Sequence, residues 1–469
     1  MTPQKLQEAK PHIGVLGIMQ ELYLPIHPGI KERQEEYARG VLASLGDEAT
    51  FDFPEAAANR SDIERILGSF NDGAHHGVVV IMLTYGASFL TYNAFKENRL
   101  PILLANIQPE ESVGADWDMA DLTYNQGIHG AQDTANALMW TESRYTVWSG
   151  NWRSSAFKSY FSSWCRVARV AAQVRRIKIA QIGQMVCMGD IQANPAEVLR
   201  VFGTQIDQTG IGLIHREMEA AKPSEVDEIL ERNKQHFQID PSLPDARHTY
   251  AARFEAGLKR YLTENGYQGF TVYFNAPADD GRFSQLPLLA ASNLMASGYG
   301  YGGEGDVLST LLVTVGQLIR PNATFIEMYA MDFRRNSILM SHMGEGNWKI
   351  ARKDRPVRLL DRELGIGGLE NPPTTVFSAE PGPATLVTLV ARPGGGFRMI
   401  LSAGEILDTE EMGNVEMPYY HYRPDTGVEA CQNGWLLNGG SHHQCLHLGN
   451  LEQEWRLFCD FLDIEFVRV

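Results

Sequence analysis

Short, almost unbroken apolar runs punctuate the first third of the chain: "HIGVLGIM" from residue 12, "GVVVIMLTY" from 77 and "LPILLANI" from 100. Strands buried on both faces need such runs, and the stretches between them carry helical spacing, so the pattern predicts a parallel sheet built from βαβ units. In "SDIERILGSF" the spacing of Ser61 and Glu64 predicts a capping box at a helix start. "NQGIHGAQDTANALMW" reads as a loop feeding a helix, with His129 near its start, and "AFKSYFSSWCRVARVAAQVRR" as a long amphipathic helix. A strand at "IKIAQIGQMV" reopens the alternation, followed by helical "SEVDEILERNKQHF" and "ARFEAGLKRYLTEN", the strand "GFTVYF" and the helix "LPLLAASNLMAS".

From about residue 320 the texture changes to strand-like runs between Gly and Pro turns, closed by the helix "LEQEWRLFCDFL" and the strand "IEFVRV". The fold class expected is therefore α/β: two open parallel-sheet domains, over 1–172 and 173–320, then a β-rich, barrel-like domain over 321–469. A chain of 469 residues is too long for one core, which agrees with several domains. Ligands of open parallel sheets sit beyond the carboxyl ends of the strands. That singles out Gln20, Tyr23, Thr84, Tyr85 and Gln108.

Composition removes several function classes. A formal charge of -16 speaks against a nucleic-acid partner, which needs a concentrated basic surface. No apolar run is long enough for a bilayer, and the N-terminal apolar stretch lacks a small-residue cleavage site, so no membrane partner is expected. Five scattered cysteines without C-x-x-C spacing predict reduced thiols and a cytoplasmic protein.

Candidate chemistry concentrates late in the chain. Gly298, Gly300 and Gly303 match a dinucleotide-binding spacing, with Glu327 about 20 residues beyond. This supports a second reading, a nucleotide-dependent dehydrogenase, although a helix rather than a strand is predicted just before the glycines. The first reading starts from Glu304, which the glycines present beside Asp306 at a helix start, and from Glu327, whose alternation with Phe325 and Tyr329 predicts a shared apolar face. His342 lies among apolar residues, and Gly439 and Gly440 precede the pair His442 and His443. Two carboxylates, a strand histidine and one of that pair make a donor set for one divalent metal, with Mn²⁺ favoured over structural zinc and Co²⁺ or Mg²⁺ as substitutes.

The segments "GGEGD", "TFIEMY", "SHM" and "GGSHH", in that order, resemble the L-arabinose isomerases and, more distantly, the L-fucose isomerases. "QELY", "NQGIHG", "QLP", "LGIGG" and "GPATLV" extend the likeness over nearly the whole chain. The resemblance implies Mn²⁺ ligands Glu304, Glu327, His342 and His443, with Glu304 and Glu327 also shuttling protons in an aldose–ketose isomerisation through a cis-enediol. It implies sugar contacts at Gln20, Tyr23, Gln126, His129, Phe274, Tyr329, Met343 and His442, and a homo-oligomer, a hexamer in that family, whose active sites lie at subunit interfaces. Departures fall in the pocket wall: Glu21 stands where a histidine is typical, "LTYGA" replaces an "HTFSP" type of segment, and Met331 replaces an aromatic. A sugar other than L-arabinose is therefore an open expectation. A third reading is a non-catalytic sugar-binding protein on the same fold.

Overall fold

The computed structural model describes residues 2–365 and 368–469, so Ile366 and Gly367 of the "LGIGG" segment lie outside the described residues. The described chain forms two compact units. One, the N-terminal unit, comprises Ala9–Ala172 with Arg456–Asp463; the other, the C-terminal unit, comprises Gln173–Trp455 with residues 2–8 and Ile464–Val469.

The N-terminal unit is a parallel sheet of β1 (His12–Ile18), β2 (Thr50–Asp52), β3 (Ala56–Ala57), β4 (Gly77–Met82), β5 (Ile102–Asn106) and β6 (Tyr145–Ser149). Its order is β2-β1-β4-β5-β6, with β3 also paired to β1. The runs read from the sequence are these strands: every residue of β4 is buried, as a strand covered on both faces must be. The helix Arg60–Asp72 packs Ile63, Ile66, Leu67 and Phe70 into the core. Its start corrects the predicted capping box. Asn59 is the N-cap, its side-chain oxygen accepting from the Asp62 amide at 3.0 Å, while Ser61 donates to Asn59 and Glu64 is drawn off by Arg60 at 2.7 Å.

The C-terminal unit opens with β7 (Lys178–Ile182), β8 (Gln205–Thr209), the short β9 (Phe237–Ile239), β10 (Gly269–Val272) and β11 (Gly300–Gly303). Four of them form a second parallel sheet, ordered β11-β10-β7-β8. It continues with β12 (Thr324–Asp332), β13 (Ser337–Ser341), β14 (Val357–Asp361), β15 (Pro373–Val376), β16 (Gly382–Ala391), β17 (Phe397–Ile406), β18 (Tyr419–Pro424), β19 (His443–Leu448) and β20 (Glu465–Arg468). Strands β16, β19, β12, β13, β18 and β17 pair in that order and β17 pairs back to β16, so the antiparallel sheet closes into a barrel, with β20 added in parallel to β17. Closure leaves few free sheet edges, and Ile326, Met340, Leu386, Ile400 and Leu446 of the barrel strands belong to one cluster of buried apolar residues.

The glycine-rich segment is itself β11, not a loop after a strand. Gly300 and Gly302 lie under the helix Val307–Ile319: a Cβ on Gly300 would stand 1.8 Å from Thr314 Oγ1 and 2.7 Å from the Thr310 carbonyl, and one on Gly302 2.3 Å from Ser309 Oγ. These glycines serve close helix–strand packing, and the connection to the helix is only Glu304, Gly305 and Asp306. The loop that would cradle a dinucleotide's phosphates is missing there, which removes the basis of the dehydrogenase reading. Gly300→Ala is expected to lower stability by about 1–3 kcal/mol through overpacking, whereas Gly40→Ala, on an open helix face with nothing within 4 Å of the new Cβ, is expected to raise it by about 0.5–1 kcal/mol. Thermal or denaturant unfolding of the two variants against the parent chain reads both signs.

Candidate active site

Barrel register assembles most of the site. Glu327 on β12 stands directly opposite His443 on β19 and Ser341 on β13, so His443, Glu327 and His342, the residue after Ser341, line up across three adjacent strands. The fourth group arrives from the parallel sheet. At the end of β11 Glu304 takes a left-handed backbone conformation (φ 62°) and Gly305 follows it (φ 86°). A non-glycine residue held there costs roughly 1–3 kcal/mol and persists only where its surroundings fix it. Three hydrogen bonds do so: Met185 N donates to the Glu304 carbonyl at 2.9 Å, Gly305 N to Thr271 Oγ1 at 2.9 Å, and Gln181 Nε2 to the Gly305 carbonyl at 2.9 Å.

The side chains converge. His443 Nε2 lies 3.2 Å from Glu327 Oε1 and 3.5 Å from Glu304 Oε2, and His342 Nε2 lies 3.7 Å from Glu327 Oε1. His442 joins them, with Nε2 3.7 Å from Glu304 and 3.9 Å from Glu327. A strand would send neighbouring residues to opposite faces, but β19 begins only at His443, so His442 precedes the alternation and its ring lies beside that of His443, centroids 4.1 Å apart. Phe325, fully buried, puts its ring edge-on to both His342 and His443 and walls the site from beneath.

Behind each imidazole stands a carboxylate. His443 Nδ1 donates to Asp306 Oδ2 at 2.9 Å, His342 Nδ1 to Glu345 Oε2 at 2.7 Å, and His442 Nδ1 to Asp190 Oδ2 at 2.6 Å. Glu345 is held in turn by the Tyr301 hydroxyl at 2.6 Å, and Asp306 caps the helix Val307–Ile319 through the amides of Leu308 and Ser309. With Nδ1 committed in this way, every Nε2 is turned toward Glu327, and those of His442 and His443 toward Glu304 as well.

This concentration of negative charge governs protonation. Burial opposes charging of the His443 ring, yet Asp306, Glu304 and Glu327 together hold its pKa well above the ordinary imidazole value. His342 is likewise raised: burial works against the charged ring and Glu345 and Glu327 outweigh it. Burial pushes the Glu304 carboxyl up, but the imidazoles of His442 and His443 bring it down to about 2. The site stabilises positive charge of any kind. It also leaves two buried atoms without a hydrogen-bond partner, His443 Nε2 and Glu304 Oε2, facing one another. Unpaired buried polar atoms are costly, and a cation between them satisfies both. Among the described residues, ligand atoms of Glu304, His442 and His443 all lie within 4.8 Å of one another, a grouping that could hold one small ion, and Glu327 and His342 border it through the His443 and Glu327 contacts.

The remaining sequence candidates fall into two groups. In the N-terminal unit, the Tyr23 hydroxyl donates to Gln126 Oε1 at 2.8 Å and Gln126 Nε2 meets His129 Nδ1 at 3.1 Å, a polar chain just beyond the strand ends. Gln20 N donates to Thr84 Oγ1 at 3.0 Å, Tyr85 reaches Asp133 and Gln108 bonds the Glu110 carbonyl, so Thr84, Tyr85 and Gln108 hold local structure. In the C-terminal unit, Phe274 and Met343 pack on one small apolar cluster with Leu286 and Leu288. At Tyr329 the ladder is irregular, with a register shift between Met328 and Ala330, and the residue is 41% exposed, yet it stays near the site: burial and the charges of Glu327, Glu345 and Glu304 push its hydroxyl pKa up. Asp190 and Glu345 lie outside the sequence candidates. Glu345, three residues beyond His342, is within reach of a search for carboxylates near histidines, whereas Asp190 lies about 250 residues from its partner, and no spacing rule links them.

Comparison with known proteins agrees with this arrangement. The sequence model of the L-arabinose isomerase central domain matches residues 178–321, and that of the C-terminal domain matches residues 322–465. Curated proteins named L-arabinose isomerase align over most of the chain. That of Mannheimia succiniciproducens is 27% identical over 410 residues, covering 84% of this chain and 81% of its own. The Clostridium beijerinckii protein is 25% identical over 425 residues (88% and 85%), and that of Yersinia enterocolitica 27% identical over 424 (85% and 81%). With its two matched domains meeting at residue 321 and the convergent glutamates and histidines drawn from both, the chain belongs to the L-arabinose isomerase family and is a sugar isomerase, an intramolecular oxidoreductase.

Proposed function

We propose that the protein interconverts an aldose and its 2-ketose, an L-arabinose-like pentose or hexose, with one divalent metal, preferably Mn²⁺, held by Glu304, Glu327, His342 and His443. The observation that carries this reading is the pair of buried, unpartnered atoms, His443 Nε2 and Glu304 Oε2, 3.5 Å apart in a ring of further donors. When bound, such an ion supplies Lewis-acid stabilisation for the oxygens at C1 and C2 of the sugar.

The chain's own residues do the rest. Glu304 is ionised at neutral pH, the imidazoles of His442 and His443 outweighing burial, so its carboxylate carries no proton when a sugar arrives. The isomerisation moves one proton between C2 and C1 through a cis-enediol while the hydroxyl proton passes between O2 and O1: a carboxylate takes the carbon proton from one carbon and it returns to the other, with Glu304 and Glu327 dividing the two tasks. His442, the one imidazole of the three with a substantially exposed side chain (39%), is placed to touch a sugar hydroxyl. Tyr329 and Met331 continue from Glu327 along the outward part of β12, with Phe333 just past its end, and supply a wall for the rest of the sugar. Since Glu21 and Met331 stand where the family differs, the preferred sugar need not be L-arabinose.

A second copy of the chain belongs to this reading. The connections leaving the carboxyl ends of β1, β4 and β5 expose Leu22, Ile26, Phe89, Met119 and Ile128, and the C-terminal unit exposes Phe333, Leu436 and Leu437. Apolar rims of this kind are covered in oligomers. We infer that the Tyr23–Gln126–His129 chain of one subunit completes a neighbour's site, within a cytoplasmic assembly compatible with five free thiols.

Chelation of the purified protein is expected to abolish turnover on a panel of aldoses and ketoses, and Mn²⁺ to restore it; unchanged turnover after complete metal removal rejects the metal assignment. Glu304→Gln and Glu327→Gln should each lower kcat by about 10²–10⁴-fold, and solvent deuterium should enter product in the parent enzyme if the enediol route operates. Mixing inactive Glu304→Gln and His129→Ala chains at equal amounts, with subunit exchange, should restore about a quarter of the sites. No recovery would place each site within a single chain.

A further inference from the structure

We infer that Asp190 is a positioning residue: it fixes the His442 ring so that Nε2 faces Glu304 and Glu327, and it acts on the sugar only through that imidazole. This rests on the isomerase reading above, and it concerns a residue outside the metal set. Asp190 lies in the loop after β7, and a single oxygen, Oδ2, gathers three donors: His442 Nδ1 at 2.6 Å, the His442 amide at 3.0 Å and Ser441 Oγ at 3.1 Å. The loop carrying it is held by Gln192, whose amide nitrogen donates to the carbonyls of Met185 and Met188 at 2.9 and 2.8 Å and whose oxygen accepts from Gln184 at 2.8 Å. Asp190 is thus supplied by a braced loop rather than by a swinging side chain.

Comparison within the site gives the arrangement its meaning. His342 and His443 are buried and take their carboxylates from Glu345 and Asp306, themselves buried. His442 and Asp190 repeat that bond, but with side chains 39% and 34% exposed. An exposed imidazole free to rotate about its side-chain bonds would present Nε2 in many directions. One short bond to Nδ1, backed by a bond to the same residue's amide, selects a single orientation and leaves Nδ1 as the protonated nitrogen. Unlike the other two pairs, this one faces solvent, where a sugar hydroxyl can reach Nε2.

Kinetics of Asp190→Ala, His442→Ala, the double variant and Asp190→Asn, each with its Mn²⁺ content measured, test this. Asp190→Ala should lower kcat/KM by about 10–100-fold, with Mn²⁺ content at the parent level. The double variant should be no worse than His442→Ala alone, because Asp190 then has nothing to orient. Asp190→Asn, whose amide oxygen can accept the same bonds, should recover part of the loss. A crystal structure of Asp190→Ala should show the His442 ring turned, with His342 and His443 unmoved, a readout that does not depend on the substrate. Losses that multiply in the double variant, an Asp190→Ala protein as active as its parent, or one that has lost its Mn²⁺, each overturn the assignment. Failure of the parent enzyme to turn over any sugar would overturn the underlying reading instead, and the position of the ring would still report on Asp190.

Discussion

The interaction on which the site depends is the hydrogen bond from an imidazole Nδ1 to a buried or braced carboxylate, made three times over. Without Asp306, Glu345 and Asp190 the three rings could turn, and Nε2 atoms pointing at one place would be a coincidence of rotamers. With them, acid groups surround basic ones closely enough that burial, which favours neutral forms, loses to local attraction. Removing Asp306 or Glu345 would leave charge buried and unpaired, an unfavourable state, whereas the Asp190–His442 pair is half open to solvent.

Two scaffolds meet to hold that set, and each contributes what the other cannot. The antiparallel barrel sets Glu327, His342 and His443 by strand register, a rigid ruler in which a slip of one residue would turn every side chain to the opposite face. The parallel sheet delivers Glu304 at a strand end through a strained two-residue turn, and Asp306 immediately starts the next helix, so one short segment provides a site carboxylate, a carboxylate behind an imidazole, and a helix cap. The bare surface of Gly300 and Gly302 is what allows that helix to sit close enough for Asp306 to do all this.

Much of the architecture is legible in the sequence because burial on both faces leaves a plain signature: β1, β4 and β5 are the apolar runs, and the barrel strands are separated by Gly and Pro turns. The clustering of Glu304, Glu327, His342 and the histidine pair can be anticipated from residue type and neighbourhood. What escapes is three-dimensional geometry. Spacing alone points to Ser61 as a cap when Asn59 has the better-placed oxygen, and the glycine spacing 298–303 suggests a loop where tight packing makes a strand. Alternation gives no sign of the register shift between Met328 and Ala330. Asp190 carries no local mark, since its purpose exists only once the loop after β7 folds onto the end of the barrel.

The irregularity in β12 between Met328 and Ala330 has an evolutionary corollary. An extra residue inserted in one strand uncouples the positions on its two sides. Mutations beyond the kink can reshape the exposed end of β12, while the paired segment from Thr324 to Glu327 keeps its alignment. Variation of shape on one side of the kink is thereby separated from the alignment that holds Glu327 on the other.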